Sequence, residues 1–197
     1  MIIDVKDFDE YFMAEIPNLK RKRGNPGTRK LKTYKDLVCA FDIETTAIDE
    51  LQQSIMYVWQ FQIDELYTVI GRTWEDFLTF LDKLKSTLKE NEWLVIYDHN
   101  LSYEFSFLKG IYPFSSSEVF ATDNRKILKC SMMDHFEFRC SLFLTNMTLR
   151  QFLQQMKVKH QKLELDYDEK RWPWTPLDQT TLDYSANDVI GLVEAIK

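Results

Sequence analysis

The chain has 197 residues, of which 45% are hydrophobic and 14% aromatic, and its formal net charge is −6. This length and composition predict one globular domain and exclude a disordered chain, and the acidic balance argues against general adhesion to nucleic acid. No apolar run reaches the length of a membrane span, so we expect no membrane partner. The first residues lack the basic and apolar regions of a signal peptide, and the three cysteines have no metal-binding spacing, which predicts reduced thiols in a cytoplasm.

The N-terminal part of the chain changes composition sharply at residue 20. Residues 1–19 mix acidic and aromatic side chains, which is compatible with a short helix. Residues 20–32 are rich in Lys and Arg, contain no acidic residue, and are interrupted by a Gly-Asn-Pro-Gly turn. This segment, the basic arm, is interpreted either as a flexible segment that contacts phosphates or as a solvated linker.

Strands and helices then alternate along the chain. Runs rich in Val, Ile, Phe and Trp predict strands at 37–45, 54–63, 67–70, 93–97, 118–122, 126–132 and 136–143. Amphipathic spacing predicts helices at 73–88, 100–110, 148–156 and 180–196, with Thr73 and Asn100 as N-caps. This alternation predicts an α/β fold, with a mixed sheet of five or six strands flanked by helices.

The apolar run that begins at Leu37 ends in two acidic residues, Asp42 and Glu44. Residues i and i+2 of a strand face the same way, so both carboxylates would lie on one face near the end of the strand. Two buried like charges need a positive neighbour, and a divalent cation such as Mg²⁺, which takes oxygen ligands, is the usual one. The alternative is a polar strand end that leads into a turn.

Two later segments place further polar groups on helices. Asn100 and Glu104 lie in the first turns of a predicted helix, where backbone amides favour negative charge and Glu104 can face the end of the first strand. In the closing helix, Tyr184 and Asp188 are four residues apart and share a face. Both features have structural alternatives, since the Tyr184–Asp188 pair also fits an ordinary helix surface and His99 fits a hydrogen-bonded loop residue.

A rigid aromatic loop is predicted at 171–176, with the sequence Arg-Trp-Pro-Trp-Thr-Pro. Trp172 and Trp174 are interpreted as packing anchors, with platforms for nucleic-acid bases as the alternative. Asp134 and Asp166 are assigned to turn and surface roles, with metal binding as the alternative.

Taken in order, the polar segments resemble the motifs of DEDD-superfamily 3′–5′ exonuclease domains, which have a ribonuclease H-like fold. The resemblance is greatest to the proofreading domain of protein-primed family B DNA polymerases of bacteriophages. It is carried by Asp42–Thr46, Tyr97–Phe107, Lys162–Tyr167 and Tyr184–Val189, and Ser141-Leu142 resembles a segment that contacts the single-stranded 3′ end. The resemblance covers about residues 36–197 and leaves residues 1–35 as an N-terminal extension with the basic arm.

The resemblance implies two Mg²⁺ or Mn²⁺ ions and a role for each site residue. Asp42 would bridge both ions, while Glu44 and Asp188 would hold the ion that binds the attacking water. Glu104 would serve the other ion, Tyr184 would orient the water, and Lys162 would offset charge on the phosphate. The residues expected to guide the single strand are Thr45, His99, Asn100, Tyr103, Ser141, Leu142 and Tyr167.

Two features depart from the family pattern. Glu104 stands where the family has an aspartate, and its longer side chain changes the reach to the second ion. The chain also ends soon after the third motif, so we expect either an excised domain or a short relative that works without a polymerase domain. In a longer relative, a polymerase domain and a terminal protein would be partners, in the cytoplasm of a phage-infected bacterium.

The sequence therefore predicts a metal-dependent 3′–5′ exonuclease that acts on single-stranded DNA ends. One alternative is a nucleic-acid-binding or interaction module on the same fold with little or no cleavage, which Glu104 and the missing polymerase domain favour. Another is an RNA exonuclease of the same superfamily. The presence of Asp42, Glu44, Tyr184 and Asp188 together favours an enzyme.

Overall fold

The computed structural model describes residues 1–16, 32–124, 126–166 and 168–197. Most of the predicted basic arm, and Tyr167, lie outside these residues. The described strands are β1 (Ile2–Asp4), β2 (Thr33–Ile48), β3 (Gln53–Ile63), β4 (Tyr67–Gly71), β5 (Glu92–Asp98), β6 (Val119–Ala121), β7 (Ile127–Met132) and β8 (Phe136–Cys140). The described α-helices are α1 (Glu10–Glu15), α2 (Trp74–Ser86), α3 (Leu101–Ile111), α4 (Ser141–Thr145), α5 (Leu149–Met156) and α6 (Gln179–Ile196).

These eight strands form one mixed sheet in the order β1-β4-β3-β2-β5-β8-β7-β6. The pairs β1/β4, β2/β5 and β5/β8 are parallel, and the other neighbours are antiparallel. The predicted α/β class, with a mixed sheet flanked by helices, is confirmed. The predicted count of five or six strands is wrong, because the short strands β1 and β6 extend the sheet at its two edges.

Thr73 and Asn100 both occupy the N-cap positions that the sequence predicted, but only Thr73 makes a capping hydrogen bond. At the start of α2, the Thr73 side chain accepts a hydrogen bond from the N–H of Asp76 at 3.1 Å, as expected for an N-cap. Asn100 occupies the N-cap position of α3, but its side chain makes no capping hydrogen bond. Asn100 is exposed, so its side-chain amide is accessible to solvent.

The chain after β8 differs from the prediction of a strand at 136–143. The strand ends at Cys140 and the chain turns directly into α4. A short apolar run does not distinguish a strand from a helical turn by periodicity alone. The turn is held by Ser141, whose hydroxyl donates to the carbonyl of Asp98 at 3.0 Å.

The two faces of the sheet carry different hydrophobic cores. Along β2, Phe41 and Ile43 belong to the large core that also contains the buried residues of α2 and α3. Ala40 belongs instead to a smaller core that includes Leu153 of α5 and Val189 of α6. Because successive strand residues point to opposite faces, Asp42 shares the side of Ala40, and the candidate site forms where β2 meets α6.

Residues 1–16 are built into the same sheet and core. Ile3 of β1 pairs with Val69 of β4, and Phe8 and Ile16 are fully buried. The domain boundary at residue 36 stays a prediction, but the described part of the predicted extension contributes to the large core. Among the described helices, even the 18-residue α6 lacks the apolar length that crossing a bilayer would need.

Candidate active site

Three carboxyl groups from two elements meet near the end of β2. Asp42 and Glu44 lie two residues apart on that strand, and Asp188 lies on α6, which packs across it. One carboxylate oxygen from each residue lies within 4.8 Å of the other two. Tyr184 and Asp188 are both buried, so this pair belongs to the interior and not to an ordinary helix surface.

Lys162 reaches the carboxylates from the segment that precedes α6. It forms an ion pair with Asp188, donates to the Tyr184 hydroxyl at 2.6 Å, and places its ammonium 4.5 Å from the centre of the Tyr184 ring. Burial alone would lower the pKa of Lys162, but the charges of the three neighbouring carboxylates raise it. Lys162 is therefore held as a cation beside the acidic cluster.

The fold opposes the ionisation of the clustered carboxyl groups. Burial, with the charge of Asp188 adding to it, raises the pKa of Asp42 to about 7. Lys162 and the side-chain amide of Gln60, which donates to Asp42 at 3.0 Å, act in the opposite direction. Burial followed by the charge of Asp42 raises the pKa of Glu44 well above its usual value. Like charges at this separation call for a compensating cation.

The unpartnered oxygens of the site fit a divalent metal. Asp188 Oδ1 and Glu104 Oε2 are buried and have no hydrogen-bond partner among the described residues. A donor set made only of carboxylate oxygens suits hard cations such as Mg²⁺ and Mn²⁺. Asp42, Glu44 and Asp188, with Glu104 beside them, therefore have the chemistry to hold the metal that the family resemblance implies.

Glu104 enters the site from α3 and stands apart from the group of three. A pocket of about 180 Å³ is lined by Asp42, Glu104, Lys162 and Asp188, among others. Burial, and then the charge of Asp42, raises the pKa of Glu104 well above its usual value. Glu104 lies outside the 4.8 Å group of Asp42, Glu44 and Asp188, so it approaches Asp42 without joining a four-carboxylate cluster.

His99 and Ser141 are tied to each other and to the backbone. The two ring nitrogens of His99 lie 3.0 Å from the Ser141 hydroxyl and 3.0 Å from the Met147 carbonyl, and the ring stacks on Phe152 at 6.4 Å. Burial lowers the pKa of His99. Ser141 has no exposed surface, and its hydroxyl is engaged with His99 and the Asp98 carbonyl, so its contact with a single strand stays a prediction.

The other residues predicted to guide a strand lie around the pocket. Thr45 Oγ1 and the Tyr103 hydroxyl are 2.6 Å apart, and Tyr103 is 38% exposed. Asn100 and Leu142 line a second cleft of about 450 Å³, and Asn100 also lines the carboxylate pocket. Tyr167 lies outside the described residues, so its predicted role stays a prediction.

Three residues that the sequence analysis did not single out shape the site. Gln60 faces Asp42 across the β2–β3 pairing. Asp98 is fully buried with neither carboxyl oxygen hydrogen-bonded to a described residue, and burial followed by the charge of Glu104 raises its pKa. Arg171 is near enough to oppose the rise in the pKa of Glu44. Sequence patterns could have indicated two of these residues: Gln60 is a glutamine inside the apolar strand β3, and Asp98 is an aspartate at the end of the apolar strand β5.

The comparisons with known proteins place this fold. No protein-family model matches the sequence, and no curated protein gives a significant match. Phi29 DNA polymerase complexed with single-stranded DNA matches with a TM-score of 0.68 and 15% identity, over 81% of this chain and 30% of that chain. The same polymerase complexed with primer-template DNA and incoming nucleotides gives 0.67 with the same coverage. NrnC of Brucella melitensis gives 0.51 at 13% identity, over 87% of this chain and 74% of that chain.

These likenesses confirm the predicted fold. The chain has a ribonuclease H-like mixed sheet, which it shares with the matched part of Phi29 DNA polymerase and with NrnC, so the resemblance inferred from the motifs holds at the level of the fold. The chain spans 30% of the length of the Phi29 polymerase chains that it matches.

Proposed function

We propose that this chain is a divalent-metal-dependent 3′–5′ exonuclease that removes nucleotides from single-stranded DNA ends. The observation that carries the proposal is the convergence of Asp42, Glu44 and Asp188, within 4.8 Å of one another, beside the cationic Lys162. The same fold occurs in a polymerase structure that holds single-stranded DNA, which supports a nucleic-acid strand as the substrate.

The residues of the site have separate tasks in such a reaction. Asp42, Glu44 and Asp188, with Glu104, would hold two Mg²⁺ or Mn²⁺ ions, which when bound supply activation of a water and neutralisation of charge at the phosphodiester. Lys162 offsets the negative charge that develops on the phosphate in the transition state. The Tyr184 hydroxyl, fixed by its 2.6 Å hydrogen bond from Lys162, would orient the attacking water.

The single strand would enter across the surface next to the carboxylate pocket. Asn100 joins that pocket to the cleft lined by Leu142, and the half-exposed ring of Tyr103 offers a face to a base. The hydrogen bond between Tyr103 and Thr45 fixes that ring. His99 and Ser141 would act by holding the wall of the pocket.

The decisive experiment is a timed digestion of 5′-end-labelled single-stranded DNA and RNA in Mg²⁺, Mn²⁺ or EDTA. We expect stepwise shortening from the 3′ end in either metal and none in EDTA, with DNA cut faster than RNA. Asp188→Asn should lower the rate by about 100-fold or more, since it removes a metal ligand. Asp183→Asn, an exposed acid on the same helix, is the matched control and should keep the parent rate.

Three outcomes of this digestion would contradict the proposal. They are internal cleavage, no cleavage in either metal, and an Asp188→Asn variant that cuts at the parent rate. Faster digestion of RNA than of DNA would transfer the proposal to an RNA exonuclease.

A second candidate function is a nucleic-acid-binding module that cuts little or not at all. One observation favours it, namely that Glu104 lies outside the group of three carboxylates. The same oligonucleotides separate the two functions, because such a module would bind the strand in Mg²⁺ and leave it at full length.

A further inference from the structure

The aromatic loop before α6 presents a stacked pair of tryptophans to solvent. The rings of Trp172 and Trp174 lie parallel, with an angle of 8° between their planes and 5.9 Å between their centres. Trp174 is 75% exposed, while Trp172 is partly buried. The interpretation of Trp174 as a packing anchor is therefore wrong, because most of this large ring contacts solvent.

The loop that carries the two rings is held rigidly. Arg72 donates hydrogen bonds of 2.8 Å to the carbonyls of both Trp172 and Thr175. The backbone N–H of Trp172 donates to the Thr175 hydroxyl at 2.9 Å, and the N–H of Thr175 donates to the Trp172 carbonyl at 2.9 Å. The backbone on either side of Trp174 is thus held by hydrogen bonds, and the Trp174 ring itself is ordered by its stack on Trp172, so it loses little freedom when it binds a partner.

The same loop is fastened to the strand that carries the active-site carboxylates. The N–H of Arg171 donates to the Thr46 hydroxyl at 3.2 Å, and that hydroxyl in turn bonds to the Arg171 carbonyl. Thr46 is the second residue after Glu44 on β2, and Lys170 donates to the carbonyl of Ala47 at 3.0 Å. The loop that carries the tryptophan pair therefore contacts β2 just beyond Glu44, next to the carboxylates of the site.

We infer that Trp174, stacked on Trp172, is a platform for a base of the single strand upstream of the nucleotide being removed. Every base has an aromatic face, so such a platform would add affinity without reading sequence. Arg171 is paired with Glu169, and Arg72 is bonded to backbone carbonyls of the loop. Lys170, directly before the loop, keeps 46% of its side chain exposed and is the cation of these three that can meet a phosphate of the strand. This inference rests on the proposed function, because it assigns a place on the protein to the substrate strand.

The test measures how affinity grows with strand length. Oligothymidylates of roughly 3 to 12 nucleotides, within the site sizes of single-strand binders, are titrated in EDTA so that no strand is cut. The parent should gain affinity over the length at which the strand reaches Trp174. Trp174→Ala should reduce that gain by about 5- to 150-fold, the loss measured when stacking aromatics are replaced by alanine. Phe120→Ala, at a ring that is 59% exposed on β6, should keep the parent's gain.

A second variant separates stacking from other contacts. Trp174→Phe keeps an aromatic face and should retain most of the affinity gain, while the quenching of tryptophan emission by the bound strand should be smaller than in the parent. Equal gains in the parent and Trp174→Ala would overturn the platform, as would a Phe variant as weak as the Ala variant. If the parent binds oligothymidylate and Trp174→Ala binds it equally well, the platform is overturned and the proposed function stands. If the parent binds neither oligothymidylate nor oligouridylate, the platform and the proposed function are both overturned.

Discussion

At the scale of single residues, the fold makes Asp42 harder to ionise than an exposed aspartate. Its pKa is raised from 3.8 to about 7 by burial and by Asp188, so the metal-free folded protein binds a proton that the unfolded chain has released. A group of this kind stabilises the fold below the unfolded pKa, and that stabilisation is lost as the pH rises through about 7. The metal-free protein should therefore become less stable between about pH 4 and pH 7 on account of this residue.

Asp42→Asn should remove this dependence. The amide cannot ionise, and its oxygen can still accept the hydrogen bond from Gln60, so the metal-free variant should be about 1–2 kcal/mol more stable than the parent at about pH 8. The difference should shrink as the pH falls towards 4. Urea denaturation in EDTA at several pH values measures it, with the exposed Asp183→Asn as control. A variant less stable than the parent at pH 8 would show that the site does not repel the charge of Asp42.

Glu104 is the residue at which the chain leaves the pattern that it otherwise resembles. Mg²⁺ requires oxygen ligands at about 2.0–2.1 Å in near-octahedral geometry. The buried neighbours Leu101 and Leu108 hold α3 in place, so we expect the longer glutamate to be a poor ligand. Glu104→Asp should raise the initial rate in Mg²⁺ and reduce a preference of the parent for Mn²⁺. Equal or lower activity of the variant in Mg²⁺ would mean that the helix has adapted to glutamate.

The pairs of site residues that lie close together in the sequence could be predicted from the sequence alone. Asp42 and Glu44 share a strand face by the period of two, and Tyr184 and Asp188 share a helix face by the spacing of four, so local geometry was enough to pair them. The side chains that reach these pairs from distant parts of the chain could not be predicted from local sequence patterns. Gln60 reaches Asp42 through the register of two strands, and that register depends on the whole sheet.

At the scale of elements, α6 is positioned by a close approach at Gly191. A Cβ atom there would lie 2.5 Å from the His160 carbonyl oxygen and 3.0 Å from Leu153. Glu194 accepts hydrogen bonds from the backbone and ring of His160 at 3.0 and 2.6 Å. This packing of the segment before Lys162 against the helix delivers the lysine to the carboxylates.

Gly191→Ala should therefore cost stability and activity together. The added methyl must push backbone away, which we expect to destabilise the domain by about 1–3 kcal/mol and to displace Lys162 from Asp188. Gly110→Ala is the matched control, since no described atom beyond its chain neighbours and its own helix backbone lies within 4 Å of an added Cβ. In a helix this change should stabilise by about 0.5–1 kcal/mol. Urea denaturation and initial rates measure both effects. A Gly191→Ala variant as stable and active as the parent would contradict this account.

Elements with strong local patterns were predictable and short ones were not. The α2 cap lies at Thr73, β3 ends at Ile63 and β4 begins at Tyr67, as the sequence predicted. The α4 turn was missed because its start depends on the bond from Ser141 to the distant Asp98 carbonyl. The edge strand β1 was missed because three residues carry no periodicity of their own.

At the scale of the whole molecule, a net charge of −6 coexists with the basic arm at 20–32. Lys32, the last residue of the arm, lies 3.4 Å above the Trp93 ring and 3.3 Å from Glu137, so this residue is held against the sheet. Neutralising Lys20, Arg21, Lys22 and Arg23 should weaken binding and flatten the slope of log affinity against log salt by up to about 3, since fewer counterions are released from a single strand. Neutralising the exposed Lys6 and Lys109 instead should leave the slope unchanged. Equal slopes for the arm variant and the parent would identify the arm as a linker.

The parallel pairing of β1 with β4 has a consequence for how the chain folds during synthesis. Ile2 lies beside Thr68 in the sheet, so β1 is synthesised before a pairing partner that follows it by more than sixty residues. At roughly 5–20 residues per second this delay is several seconds. During that time the apolar side chains of Ile3, Val5 and Phe8, which are buried in the folded domain, have no core to enter and stay exposed until β4 has been made.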